Sequence, residues 1–338
     1  MADQPKASLQ ELLKANSRSF YLTLRTLPAS VGPQMGLAYL LARTTDTIAD
    51  TEIVPMEQRL QALQLLRERI RGTSCQPLEF GELARQQGSP SERALLENSE
   101  QALTVLESQK PDDRERIREV LEVIVSGQEL DLKRFAGATK EKITALANAA
   151  ELDDYTYRVA GCVGEFWTKM CRAHLFPRTD LNDEWLLAQG VRFGKGLQLV
   201  NILRDMPADL RQGRCYLPVD ELAVAGLAPG DLLEPRNEPK LRPVYNRYLA
   251  LAEEHLAAGW AYTNALPWSS ARVRLGCAWA ILIGTATLAR LHSGNVLDSA
   301  QRIKINRAEV KKIILGSVVR YPLPSAWRKQ FSSYSKNA

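Results

Sequence analysis

Histidine is scarce in this chain, with three in 338 residues, and none of its five cysteines stands in a CxxC pair. A structural zinc site is built from such residues at close spacing, so that class is set aside. Basic clusters are also missing. The net charge is +5 and the pI about 8.9, yet the arginines are scattered, many beside acids or inside apolar segments. A nucleic-acid binder carries a basic patch or stripe, so no nucleic-acid partner is expected. The mild positive excess fits an anionic substrate or an anionic membrane surface instead. No signal peptide opens the chain, and the cysteine count is odd, which together argue for a reducing cytoplasm. The longest apolar run, LGCAWAILIGTATLARL at 275–291, falls short of the about 20 residues a spanning helix needs. It reads as a core or cavity-lining helix, with no transmembrane anchor. Alternating strand patterns are nearly absent, as are short repeats, low-complexity tracts and long linkers.

Helical periodicity is what the sequence has in abundance. SLQELLKANSRSFYLTLRTL gives one or two helices with Ser8 as N-cap, and PASVGP marks a turn. A helix follows over 34–50. The next, in PMEQRLQALQLLRERIRG, has Pro55 near its start and Gly72 at its end. SPSERALLENSEQALTVLESQ and PDDRERIREVLEVIVSGQELDLKRFAG both begin with cap-and-acid chemistry. Further helices are expected over 151–173, 182–206, 239–265, 269–293 and 306–318. The reading is one all-α domain over 1–338, with tails 1–7 and 320–338 loosely packed. Cys162, Cys171 and Cys277 fall in apolar helical patterns, as small buried hydrophobes do.

Two acidic rows break the apolar pattern. In LARTTDTIADT, Asp46 and Asp50 are four apart and therefore neighbours on one helix face. Like charges at that spacing are unfavourable, more so when partly buried. The simplest account is a solvated face in which Arg43 pairs with Asp46. A second row changes the balance. GKGLQLVNILRDMPADLRQGRCYLP puts Gly194, Gln198, Asn201, Asp205 and Asp209 on successive turns of one face, with Leu197, Leu199, Val200, Ile202 and Leu203 opposite. Oxygen ligands from Asp and Asn suit Mg²⁺, which takes one or two carboxylates and completes its shell with water and phosphate. Arginines Arg18, Arg43, Arg204 and Arg214 lie near the two rows, and guanidinium binds phosphate in bidentate fashion. If the two helices face each other, both rows reach one cavity and can clamp a diphosphate through Mg²⁺. Pro207 is expected to kink its helix and displace Asp209.

These residues carry a resemblance. RSFYLTLRTLP, DTIAD, YTYRVAGCVG and NILRDMPADLRQGRCYLP are similar, in that order, to motifs of the squalene/phytoene synthase family, over about residues 14–312. LARTTDTIADT and the C-terminal ILIGTATLARL and RIKINRAEVKK look closer to the squalene synthase branch, in its bacterial, anchorless form. The resemblance implies an isoprenoid-synthase-type helical fold with a central apolar cavity. It implies that two farnesyl diphosphates give presqualene diphosphate with Mg²⁺, and then squalene with NADPH. It implies that Asp46, Asp50, Asn201, Asp205 and Asp209 hold metal, and that Arg18, Arg43, Arg204, Arg302 and Asn201 contact diphosphate. Tyr155 would serve the cyclopropanation step, a reading favoured over that of an ordinary packing tyrosine. The first motif departs from the branch at Ala49 and Thr51, where extra acids often stand. No GxGxxG is present, since GKGLQL only begins like one, so NADPH use rests on the resemblance alone. Rival readings are a phytoene or dehydrosqualene synthase without NADPH, a class I terpene cyclase, and a non-catalytic helical interaction protein. Peripheral contact with the inner membrane face is compatible with the charge, and oligomeric state is left open.

Overall fold

The computed structural model describes residues 8–17, 20–87, 89–301 and 303–335. The chain divides into two compact units, Met1–Ala136 with Lys169–Pro177, and Gly137–Thr168 with Arg178–Ala338. Both are helical, as the periodicity requires.

In the first unit the helices are α1 (Leu9–Asn16), α2 (Phe20–Thr26), α3 (Gly32–Asp50), α4 (Met56–Arg71), α5 (Gly81–Arg85), α6 (Pro90–Glu97), α7 (Ser99–Glu107) and α8 (Pro111–Arg134). Their ends follow local chemistry. Ser8 and Glu11 form a reciprocal capping box at α1,. Gly72, in the left-handed region at φ 77°, closes α4,. The expected single helix over 89–109 is two, because the chain breaks at Asn98, whose Nδ2 donates to the Ala94 carbonyl at 2.7 Å. An asparagine that bonds its own preceding turn competes with helix continuation. Helix α3 is the axis of this unit and packs on α1, α4, α6, α7 and α8. Leu40, Leu41 and Ile48 of α3 are buried with Leu63, Leu66, Leu96, Leu106 and Ile117. That packing leaves the Arg43–Asp46–Asp50 side of α3 as the polar one.

The second unit holds α9 (Ala149–Thr156), a π-helical turn at Tyr157–Gly161, and the start of α10 (Cys162–His174). Then come α11 (Asp183–Arg211), α12 (Val219–Val224), α13 (Glu238–Ala265), α14 (Ala271–Ser293), α15 (Arg307–Arg320), α16 (Pro324–Arg328) and α17 (Gln330–Ser335). Strands β1 (Thr144–Leu146) and β2 (Arg214–Pro218) form a short parallel pair with Thr144 opposite Arg214. Helix α11 packs on α13, α14 and the π turn. Helix α14 is apolar enough to cross a membrane by composition, but 67% of its most apolar window is buried in the fold, as expected of a core helix. The segment over 320–335 is a correction to the sequence reading. It is not loose: Trp327 is fully buried, stacks on Trp260 at 5.2 Å and meets Tyr321 edge-on at 4.9 Å. Burying an indole gains more than fraying the segment would.

Close backbone approach explains two glycines that would otherwise weaken helices by about 1 kcal/mol each. A Cβ on Gly164 would lie 1.9 Å from the Gly190 carbonyl oxygen, and one on Gly194 would lie 2.1 Å from that of Ala160. Helix α11 is thus pressed against the π turn and α10 at a distance only glycine permits.

Candidate active site

The first acidic row sits on the last two turns of α3. Arg43 Nη1 donates to Asp46 Oδ2, and Arg43 Nη2 donates to Glu92 Oε1 of α6 at 2.6 Å. The i,i+3 pairing anticipated from sequence is therefore present, and Glu92 is an added partner that sequence reading missed. Burial works against the Arg43 charge, but Asp46, Glu92 and Asp50 outweigh it and hold its pKa above the usual arginine value,. Asp50 thus shares the field of Asp46 around one guanidinium. Asp46 keeps 42% of its side-chain surface, against 19% for Arg43, so its carboxylate can take a further ligand.

The second row repeats this on α11. Arg204 Nε donates to Asp205 Oδ1 at 2.9 Å, and its Nη2 donates to Oδ2, a bidentate grip between adjacent residues,. The hydrogen bond to Asp205 raises the Arg204 pKa, against burial, with Asp205 and Asp209 adding their charge. Asn201 is exposed one turn earlier, while Leu199, Val200, Ile202, Leu203 and Met206 are buried.

Pro207 does not end the helix. Helix α11 continues to Arg211, so Asp209 stays on the helix that carries Asp205. A proline at 207 has no N–H for the carbonyl four residues back, which belongs to Leu203. That carbonyl receives the Tyr245 hydroxyl instead, at 2.9 Å, from a tyrosine fully buried in α13. The phenol stands in for the missing backbone donor. Nothing in the sequence signalled Tyr245, apart from the orphan carbonyl that Pro207 implies.

Tyr155 lies in the last turn of α9, two residues before the π turn. It is 8% exposed and stacks on Tyr216 of β2 with ring centroids 4.8 Å apart, their hydroxyls 3.4 Å apart. The sequence singled out Tyr155 alone; the structure makes it half of a pair. Single π turns inside helices recur at functional sites. GKGLQL lies within α11, where no strand-to-helix phosphate turn exists. Arg18 and Arg302 lie outside the described residues. Among the described residues no three His, Cys, Asp or Glu side chains gather into a metal cluster. Each row offers two hard carboxylates instead, a donor set that suits Mg²⁺ completed by water and phosphate.

Comparison with known proteins places this architecture. The squalene/phytoene synthase family model matches residues 13–309, and the chain belongs to that family. It is a prenyltransferase of the squalene/phytoene synthase type. The presqualene diphosphate synthase of Zymomonas mobilis is 31% identical over 245 residues, covering 72% of this chain and 70% of that protein. The bifunctional lycopene cyclase/phytoene synthase of Blakeslea trispora is 29% identical over 218 residues, covering 62% of this chain and 32% of that protein. In fold, the chain is similar to TcSQS in its complex with E5700, with a TM-score of 0.78 and 21% identity over 96% of this chain and 88% of the other.

Proposed function

We propose that this protein joins two farnesyl diphosphates head to head as presqualene diphosphate, in the presence of Mg²⁺, and then yields squalene with NADPH. The observation that carries the reading is the repeated acid–arginine row: Arg43 with Asp46 and Asp50 on α3, and Arg204 with Asp205 and Asp209 on α11. The reading takes residues 1–338 as one functional domain, because it needs both rows.

In this reading Asp46, Asp50, Asn201, Asp205 and Asp209 would hold Mg²⁺. The ion, when bound, supplies positive charge against the departing diphosphate. Arg43 and Arg204 exchange part of their carboxylate pairing for diphosphate oxygens, which they can bind in bidentate fashion. Arg18 and Arg302 are proposed as further diphosphate contacts. Loss of diphosphate leaves an allylic cation, and the π faces of Tyr155 and Tyr216 are suited to stabilise it. The Tyr155 hydroxyl, within reach of Tyr216, is suited to hold or move a proton. No residue is assigned to NADPH, and no step is derived through it.

A second reading stops at presqualene diphosphate. It is favoured by the name of the Zymomonas relative and by the lack of a dinucleotide fingerprint. One experiment separates the two. Purified protein is given farnesyl diphosphate and Mg²⁺, with and without NADPH, and the lipids are identified by mass spectrometry. Squalene appearing only with NADPH supports the full reading, and presqualene diphosphate under both conditions supports the shorter one. A C40 product in a parallel assay with geranylgeranyl diphosphate, or no consumption of farnesyl diphosphate, defeats both.

A further inference from the structure

Helix α15 has its apolar residues on both sides. Ile313 and Ser317 face inward, with the Trp279 indole N–H donating to the Ser317 hydroxyl at 2.7 Å. Facing outward are Leu315 at 66% exposure, Val318 at 44% and Val319 at 64%, followed beyond the helix by Leu323 at 59%. Positions 315, 318 and 319 lie three and four apart, so they form one stripe. Trp268, 40% exposed, stacks on Tyr321 directly after the helix and extends the apolar surface. Single exposed leucines are ordinary. A continuous outward stripe marks a contact surface.

The charge around the stripe indicates what it contacts. Lys311 and Lys312 are exposed one turn earlier on the same side. Arg320, Arg328 and Lys329 are exposed at its far end. From Arg307 to Ser335 the single acid is Glu309. Its carboxylate is occupied by Arg290 and by the capping box of α15. An apolar helix face edged by lysine and arginine, with a tryptophan at the border, is the pattern of a helix lying in a membrane interface over anionic lipid. A second copy docking through the same stripe would bring like charges together, because an isologous contact sets each patch against itself.

We propose that the outward face of α15, centred on Leu315 and Val319, docks this protein on an anionic lipid bilayer. The proposal does not depend on the reaction assigned above. If that reaction holds, the surface also brings an oily product to the phase that dissolves it.

The test is co-sedimentation of the full-length protein with vesicles of phosphatidylcholine alone and of phosphatidylcholine mixed with phosphatidylglycerol. Binding is expected on the phosphatidylglycerol vesicles, and weakening with added salt. The double variant L315E/V319E and the charge reversal K311E/K312E should each lower the partition coefficient by about tenfold or more. Both pairs lie outside the acidic rows, so turnover of soluble farnesyl diphosphate and the unfolding temperature should stay at wild-type values; they show that the variants are folded. The milder L315S/V319S should fall between. No binding by wild-type protein overturns the proposal, as does binding unaltered by the variants. So does light scattering that shows a wild-type dimer converted to monomer by L315E/V319E, because a second copy would then cover the stripe.

Discussion

Replacing Tyr245 with phenylalanine deletes one oxygen from the core of the second unit. That oxygen donates to the Leu203 carbonyl, at the position where Pro207 has removed the backbone donor. The carbonyl is buried and would lose its partner, so the cost is that of an unsatisfied buried acceptor, about 1–3 kcal/mol. For domains of 150–250 residues each kcal/mol lowers Tm by about 2–4 °C. Tyr245→Phe should therefore lower Tm by about 2–12 °C. The partner change is Pro207→Ala, which restores an N–H aimed at Leu203. In that background the hydroxyl is redundant, and Tyr245→Phe should cost far less. A coupling of about 1 kcal/mol or more between the two sites is expected, as for residues sharing one bond. Thermal unfolding of the four proteins measures it. The Mg²⁺ concentration for half-maximal turnover should rise in Tyr245→Phe and return in the double variant, since Asp205 and Asp209 flank the supported turn. Equal losses in both backgrounds would refute the idea that the phenol replaces the backbone donor.

Other expectations follow from packing and burial. Gly164→Ala puts a methyl into the Gly190 carbonyl and should cost about 3 kcal/mol or leave the protein insoluble, whereas Gly230→Ala, with open space around it, should leave Tm within about 1 °C; thermal unfolding of both checks this. Burial pushes the thiols of Cys162, Cys215 and Cys277 up to about 12. Raised values keep them protonated and unreactive at pH 8, so iodoacetamide should label exposed Cys75 alone in the native protein and all five after denaturation, as read by mass spectrometry. Glu92→Gln should weaken turnover less than Asp46→Asn, because Arg43 keeps Asp46 as a partner; steady-state kinetics compares them.

The helices were legible because apolar periodicity reports burial directly. The ends of α4 and α8 were marked by Pro55, Gly72 and Pro111. The break at Asn98 and the π turn at Tyr157–Gly161 were not legible, since each depends on local hydrogen bonding that a 3.6-residue period does not encode. A glycine such as Gly164 inside a helix carries a propensity cost that hints at close packing, and only the fold identifies the packed helix as α11. The Arg43–Asp46 pair could be read from spacing alone, whereas the Arg204–Asp205 pair could not, because adjacent residues on a helix do not face each other. Glu92, Tyr216 and Tyr245 could not, because each reaches its partner from a distant part of the sequence. Pro207 shows the limit most plainly. Proline chemistry foretold a kink, and tertiary structure supplied the missing donor from α13.

The central claim is that both acid–arginine rows are needed to hold and ionise prenyl diphosphate. Diphosphate release from farnesyl diphosphate with Mg²⁺, followed for the wild type, Asp46→Asn and Asp205→Asn, tests it most directly. Each single change should slow release by about 10²–10³-fold while Tm stays near the wild-type value. Release at close to the wild-type rate by either variant would contradict the account.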